Sequence, residues 1–240
     1  MSELNQYAAL PYVVTPSGLL VCLITSRGTG RWIVPKGWPK ADLSPVTMAA
    51  TEACEEAGLP YEVRTIRFED RASNHLDRQP FGQVPYLNDG PISLFESGAC
   101  LLHLARKSEW LMPRDPEGAA ETLQWTMAAL NSVEMVSVPW WFLEVTGARE
   151  NGLTGWLESR LAHMERVLGE RDWLAAGRFT VADLIMADVL RVAKVRAHGN
   201  RPKTEAYLSR VTARPAFQKA HADQMAHFEA ADRARSQTSG

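Results

Sequence analysis

The sequence predicts a two-domain protein, with a small α/β domain first and an all-α domain after it. The stretch 82–106, GQVPYLNDGPISLFESGACLLHLAR, contains two short apolar runs and then an apolar helical run, which predicts a hairpin followed by a helix. After residue 116, apolar residues recur at helical spacing through the rest of the chain. One segment, 180–195, is apolar on nearly every face, so we expect it at the centre of the all-α domain.

The composition is that of an ordinary globular protein, and it narrows the choice of partners. Hydrophobic residues make up 45% of the 240 residues, charged residues 22%, and the net charge is −2. This balance gives no reason to expect nucleic acid or an acidic membrane as a partner. No apolar run approaches the length of a membrane span, and the opening MSELNQYAAL lacks a signal pattern, so we expect a cytoplasmic protein. Three cysteines are too few and too widely spaced for a disulfide framework, and we expect buried thiols at Cys22, Cys54 and Cys100.

Short strands and one helix are predicted in the first sixty residues. Three runs rich in β-branched residues predict strands, the first two joined by a Thr-Pro-Ser-Gly turn: 7–14, 19–25 and 32–34. Ser44 and Pro45 are good N-cap and first-turn residues. A helix is therefore expected from Ser44 to about Ala57, where Gly58 ends it.

Three acidic residues lie on this predicted helix at spacings of three and four. Glu52, Glu55 and Glu56 could therefore direct their carboxylates to one Mg²⁺ ion. The alternative interpretation is a solvated acidic helix face.

The segment 7–59 resembles the Nudix hydrolases through two sequence motifs, WIVPKG, which ends at Gly37, and EACEEAGL. Leu43 and Thr51 stand where the box of that family has a Glu and an Arg. The chain also enters a different pattern before the rest of such a domain could follow. The resemblance implies an alternative function, the Mg²⁺-dependent hydrolysis of nucleoside diphosphate derivatives, with the three carboxylates as metal ligands.

The stretch 82–106 combines two features that suit one ligand. Asn-Asp-Gly separates its apolar runs and predicts a tight hairpin turn. Glu96 and Ser97 then open the helix, where unpaired backbone N–H groups make an anion site. Pro85 stands at the mouth of the first strand, where a cis bond would let Val84 pair with an extended peptide. A ligand with a carboxylate and a peptide backbone would suit both features.

This stretch resembles the glutathione-binding domain of the glutathione S-transferases, and the likeness extends from Glu55 to the C-terminus. It implies that the Val84-Pro85 pair contacts the cysteinyl backbone of glutathione and that the Glu96-Ser97 pair holds its γ-glutamyl end. It also implies a thioredoxin-like fold, glutathione as co-substrate, an apolar small-molecule electrophile and a homodimer.

The two resemblances overlap at residues 55–63, EEAGLPYEV, so we expect the Nudix-like segment 1–59 to complete the thioredoxin-like domain, 31–106. Its strand 32–34 and its helix would join a strand at 61–67 in a βαβ unit within a mixed sheet. Ser44 then falls where serine-type transferases carry the hydroxyl that contacts the glutathione sulfur, although it is also an ordinary N-cap. If Ser44 does not supply this hydroxyl, the alternative function is that of a non-catalytic glutathione-binding protein.

The all-α domain is predicted at 113–230, with a mobile tail at 231–240. Thr180 and Asp183 form a capping box that resembles the folding signal of the transferase helical domain, so both are expected to be structural. The predicted helices, the first ending before Pro139, are 117–138, 153–168, 180–195, 202–213 and 215–230.

Two tryptophans follow the first long helix. Trp140 and Trp141 are either core residues or, as the transferase resemblance implies, part of the wall of the electrophile pocket between the domains.

Overall fold

The protein is described by a computed structural model at residues 12–15, 18–21, 24–25, 32–33, 45–62, 75–147 and 150–238. Side chains are described at 49–62, 75–147 and 150–226. Ser44, Cys22 and most of the predicted strand 61–67 lie outside the described residues.

Six short strands form three separate antiparallel pairs. The pairs are β1 (Tyr12–Thr15) with β2 (Gly18–Val21), β3 (Ile24–Thr25) with β4 (Trp32–Ile33), and β5 (Tyr86–Asp89) with β6 (Ile92–Phe95). Within the described residues, β4 pairs with β3 and not with the β5–β6 hairpin, so the predicted mixed sheet is not seen there. The strand that would link them belongs to the range 63–74, which is outside the described residues.

Most of the described chain is helical. The helices are α1 (Pro45–Ala57), α2 (Ser97–Ala105), α3 (Pro116–Ala128), α4 (Met135–Thr146), α5 (Thr154–Glu170), α6 (Val181–Leu190), α7 (Ala193–Arg196), α8 (Pro202–Thr212) and α9 (Pro215–Thr238), and a π-helical segment, Ala129–Glu134, joins α3 to α4. None of the helices within the described ranges is both long and apolar enough to cross a membrane.

Helix α6 is the centre of the α-helical domain. All ten of its residues are buried, which accounts for an apolar pattern that covers every face. It packs against α1, α3, the π segment and α8.

A capping box fixes the start of α6. The Thr180 hydroxyl accepts a hydrogen bond from the backbone of Ala182, and the Asp183 carboxylate accepts one from Thr180 N at 2.9 Å. Asp183 also accepts from the backbone N–H of Leu174 at 2.9 Å and from the buried hydroxyl of Tyr207 at 3.2 Å. One carboxylate thus joins the preceding loop, α6 and α8. Its burial raises the pKa of Asp183 to about 6.

The helix boundaries differ from the sequence expectation at three places. The chain does not leave the helix before Pro139, which lies inside α4. The π segment, in which Met135 N is bonded to Leu130 O, lies directly before the helical turn that contains Pro139. The segment 180–195 is split, because Val192 adopts an extended ψ of 121° between α6 and α7. Helix α9 continues to Thr238, through most of the predicted mobile tail 231–240, because no Gly or Pro interrupts it.

Removal of the capping box should destabilise the protein in two unequal steps. Thr180→Ala should cost about 1 kcal/mol through loss of the cap. Asp183→Ala should cost on the order of 3 kcal/mol or more, because it leaves several buried donors without an acceptor. Urea denaturation of both variants measures this, with Asp172→Ala as control, since the Asp172 side chain is 80% exposed. Equal midpoints for the wild type and the two box variants would contradict the assignment.

Candidate functional site

A cavity of about 710 Å³ lies between the β5–β6 hairpin and the helical domain. We call the residues on its first side the hairpin wall: Gln79, Gln83, Val84, Pro85, Glu96 and Ser97. We call those on its second side the helical wall: Leu130, Glu134, Met135, Ser137, Val138, Pro139, Trp141, Val189, Val192 and Val195. The four residues that the sequence predicts as glutathione contacts therefore line one cavity.

The Val84-Pro85 pair lies just before β5. Its peptide bond is cis. Strand pairing begins at Tyr86, so the ladder with β6 does not use the N–H and C=O groups of Val84. An extended peptide in the cavity could pair with them.

The loop that carries this pair is held from beneath by His75 and Gln79, both buried. The Nε2 atom of His75 lies 2.5 Å from the carbonyl oxygen of Gln83, and its ring lies 5.5 Å from the ring of Tyr86. The side-chain oxygen of Gln79 accepts a hydrogen bond from Phe81 N at 2.8 Å. Sequence reasoning missed Gln79 and Gln83, although the position of Gln83 beside the Val-Pro pair could have indicated it.

The start of α2 faces the cavity without a side-chain cap. Glu96 is the N-cap residue and makes no capping hydrogen bond with its side chain. Its φ of 68° is unusual for a residue other than glycine. Such backbone strain is concentrated at functional sites, and the first N–H groups of α2 are oriented to receive an anion.

The helical wall is apolar, and Trp141 belongs to it while Trp140 does not. Trp140 is only 3% exposed, with its ring N–H 3.2 Å from the Thr154 hydroxyl and its ring 5.1 Å from that of His198. The two tryptophans differ because adjacent residues on a helix point about 100° apart. Of the two alternatives that the sequence leaves open, Trp140 therefore takes the core position and Trp141 the pocket wall.

One carboxyl group, that of Glu134, stands on the helical wall. Burial raises its pKa, and the nearby negative charges of Asp188 and Glu96 add to that shift. Sequence reasoning missed this residue because it placed 117–138 in a regular helix and assigned it no role.

The three carboxylates of α1 face the helical domain and do not gather at a metal site. Glu56 forms a bidentate pair with Arg214, at 2.5 and 2.7 Å. Glu55 contacts Lys219 and accepts a hydrogen bond from Tyr61, each at 2.5 Å. No group of three or more His, Cys, Asp or Glu side chains in the described part of the chain could hold a metal ion. The Mg²⁺ site proposed for Glu52, Glu55 and Glu56 is therefore not formed.

Glu52 is the third of these carboxylates and lies fully inside the protein. Both of its oxygens are buried without a hydrogen-bond partner. Burial is the main reason that its pKa rises to about 9, and the charges of Asp188 and Glu56 raise it further against the opposing effect of Arg191 and Arg214. Glu52 is therefore protonated in the folded protein at neutral pH.

The stability of the fold should consequently fall as the pH rises. In the unfolded chain Glu52 ionises near its ordinary pKa of 4.5, so its protonated state favours the folded form fully only below that pH. Between about pH 5 and 8 the wild type should lose stability relative to Glu52→Gln by up to roughly 1.4 kcal/mol per pH unit. Urea denaturation across this range measures the difference, with the exposed Glu150→Gln as control. A difference that does not vary with pH would contradict the assignment.

Comparison with known proteins gives concordant matches to both halves of the chain. Residues 42–106 match the family description "Glutathione S-transferase, N-terminal domain", and residues 155–215 match "Glutathione S-transferase, C-terminal domain". Glutathione S-transferase 1 of Zea mays is 31% identical over 192 residues, which span 72% of this chain and 89% of the relative.

Solved structures show the same likeness. A glutathione transferase from Pseudomonas putida, with one glutathione disulfide bound per subunit, has a TM-score of 0.67 and 26% identity, covering 73% of this chain and 86% of its own. A glutathione transferase family member from Pseudomonas fluorescens, with two glutathione bound, has a TM-score of 0.66 and 27% identity, covering 73% of this chain and 88% of its own.

Proposed function

We propose that this chain, which belongs to the glutathione S-transferase family, is a glutathione-conjugating enzyme. The predicted resemblance to that family is confirmed, together with an α/β thioredoxin-like domain followed by a helical domain. Glutathione is the co-substrate. The observation that carries the proposal is the single cavity, whose hairpin wall suits a peptide and whose helical wall suits an apolar molecule.

The hairpin wall would hold glutathione at two points. The γ-glutamyl carboxylate would lie at the start of α2, where the Ser97 hydroxyl and the uncapped N–H groups can donate to it. The Glu96 side chain would attract the γ-glutamyl ammonium group. The cysteinyl backbone would pair with Val84, next to Pro85, as a short extra strand.

The helical wall would take the electrophile. Leu130, Val138 and Trp141 from the π segment and α4, with Val189 and Val192 from the end of α6, offer a surface for an apolar ring or chain. Because both walls line one cavity, that molecule would lie beside the glutathione sulfur.

Ser44 would activate the sulfur. A hydroxyl that donates a hydrogen bond to the sulfur favours the thiolate, which is the nucleophile. Ser44 lies outside the described residues, so its role rests on the family match at 42–106 and on its place before α1.

Binding and chemistry should separate in two serine variants. Ser97→Ala should weaken glutathione binding about ten- to a hundredfold, since a hydrogen bond to a charged group contributes roughly 1.5 to 3 kcal/mol. Ser44→Ala should leave the affinity within a few fold but reduce the thiolate fraction of bound glutathione. Calorimetric titration measures the affinity, and thiolate absorbance against pH measures the ionisation.

The matched control is Ser93→Ala, because Ser93 is exposed on β6 and does not line the cavity. Wild-type affinity in Ser97→Ala, or failure of the wild type to bind millimolar glutathione, would overturn the site. Unchanged thiolate ionisation in Ser44→Ala, with binding intact, would favour a non-catalytic glutathione-binding protein.

We also propose that the segment 1–59 is a truncated Nudix-like piece that serves the transferase fold. Its Nudix-like motifs support the origin of the segment. Its role in the transferase fold is supported by α1, whose acidic residues all face the helical domain. An experimental structure that places the strand at 32–34 outside the glutathione-binding sheet would contradict this role.

The cysteines support a proposed cytoplasmic location. Cys54 and Cys100 are buried free thiols, and burial raises the pKa of each to about 11. Unpaired thiols persist in reducing compartments, where glutathione is maintained. Cell fractionation tests the location.

We propose that two copies associate through the surface around Phe81. This ring is 70% exposed, lies 6.2 Å from the ring of Phe95, and is followed by Gly82, which packs near the 47% exposed Leu76. Sedimentation equilibrium should give twice the chain mass of 26.7 kDa for the wild type and the single mass for Phe81→Asp. Ser93→Ala should remain dimeric, and a monomeric wild type would refute the proposal.

A further inference from the structure

The helical wall carries one group that an apolar binding surface does not need. Of its ten residues, eight are apolar, and the other two are Ser137 and Glu134. Glu134 is the last residue of the π segment, and such segments occur frequently at functional sites. A carboxyl group on a mostly apolar wall points to an apolar ligand that carries a polar atom.

We propose that Glu134 is a catalytic acid that makes this enzyme selective for electrophiles whose reacting carbon is conjugated to a carbonyl group. The proposal rests on the proposed glutathione-conjugating function. It goes beyond that function because it assigns the proton donor and the chemical class of the second substrate.

Burial and two neighbouring acids raise the pKa of Glu134. Glu96 faces it across the same cavity, and Asp188 lies behind it on α6. None of the cavity-lining residues within the described ranges is a Lys, Arg or His. The charge of Asp188 is itself paired with Arg191, whose Nε donates to it at 2.5 Å. Burial and two neighbouring acids therefore favour the neutral carboxylic acid, which can donate a hydrogen bond.

The two walls place the reacting ends in the required order. In the proposed function Val84 and Ser97 would hold glutathione on the hairpin wall, while Glu134 lies on the helical wall. An electrophile between them would present its β-carbon to the sulfur and its carbonyl oxygen to the carboxylic acid. Ser137, one turn of helix further along, is the other polar group near that oxygen.

The step balances as a conjugate addition. The thiolate forms a carbon–sulfur bond at the β-carbon, and the electron pair of the double bond moves to give the enolate oxygen. That oxygen takes the proton of Glu134 and becomes an enol, which leaves a carboxylate. The enol then takes a proton from water at carbon and loses its hydroxyl proton, and the carboxylate regains a proton from solvent.

A pair of electrophiles separates this role from general binding. Wild type, Glu134→Gln and Glu134→Leu are assayed with glutathione and either trans-4-phenyl-3-buten-2-one, an enone, or 1-chloro-2,4-dinitrobenzene, from which chloride departs without a proton. Proton transfer typically contributes a hundredfold or more, so kcat/KM for the enone should fall about a hundredfold in Glu134→Leu and less in Glu134→Gln, whose amide still donates. For the chloride substrate both variants should stay within about threefold of the wild type.

The ratio of the two rates against pH gives a second readout. Thiolate formation affects both substrates, so it cancels in the ratio of enone to chloride kcat/KM. In the wild type this ratio should fall as the pH rises through the pKa of Glu134, and in Glu134→Gln it should be flat. The exposed Glu170→Gln is the matched control and should follow the wild type.

Each outcome decides the proposal. Equal losses on both substrates, a pH-independent ratio in the wild type, or wild-type enone activity in both variants would overturn it while glutathione transfer stands. A wild type that turns over the chloride substrate but not the enone would do the same. Should Glu134→Leu fail to fold, the isosteric Glu134→Gln carries the test. A wild type inactive on both substrates would overturn the proposed function itself.

Discussion

The cavity depends on how one buried carboxylate, that of Asp183, fixes the first turn of α6. It accepts hydrogen bonds from the preceding loop, from the Thr180 backbone and from Tyr207 on α8. Because α6 packs against α2, which begins at Ser97 on the hairpin wall, and also against the π segment, its position influences the distance between the two walls. A structural residue that is not among the lining residues thus influences the shape of the site.

The contact between the domains shows why acidic residues at helical spacing are ambiguous. The spacing of Glu55 and Glu56 is compatible both with metal ligands and with a row of ion pairs. In the structure they form ion pairs, Glu55 with Lys219 and Glu56 with Arg214. Glu52 faces inward without a partner, which is costly for a carboxyl group and forces it to remain neutral. A helix with such a misfit supports the proposal that this segment came from another fold.

The sequence predicted those parts of the site that depend on local chemistry. A turn of Asn-Asp-Gly, a Val-Pro pair and a polar helix start are short patterns with few alternatives. The turn joins β5 to β6 as predicted, and the Val-Pro pair and the helix start meet at the cavity. The sequence could not decide between core and pocket for Trp140 and did not indicate that Glu134 lines the cavity, because both positions depend on a π segment that no residue pattern indicates. The predicted Mg²⁺ site on α1 was wrong for a different reason. The partners of Glu55 and Glu56 lie about 160 residues away along the chain, so no local pattern indicates them.

The π segment sets the rotation of α4 relative to α3 in the long helix between Pro116 and Thr146. It absorbs about one residue, so a regular helix of the same length would turn α4 by about 100° relative to α3. That turn would bring Trp140 to the angle that Trp141 now occupies. The insertion or deletion of a single residue in this segment would therefore rotate α4 and change which of its side chains line the cavity, without any substitution in α4 itself. Relatives with different helical walls could arise by such slippage, with the glutathione half left untouched.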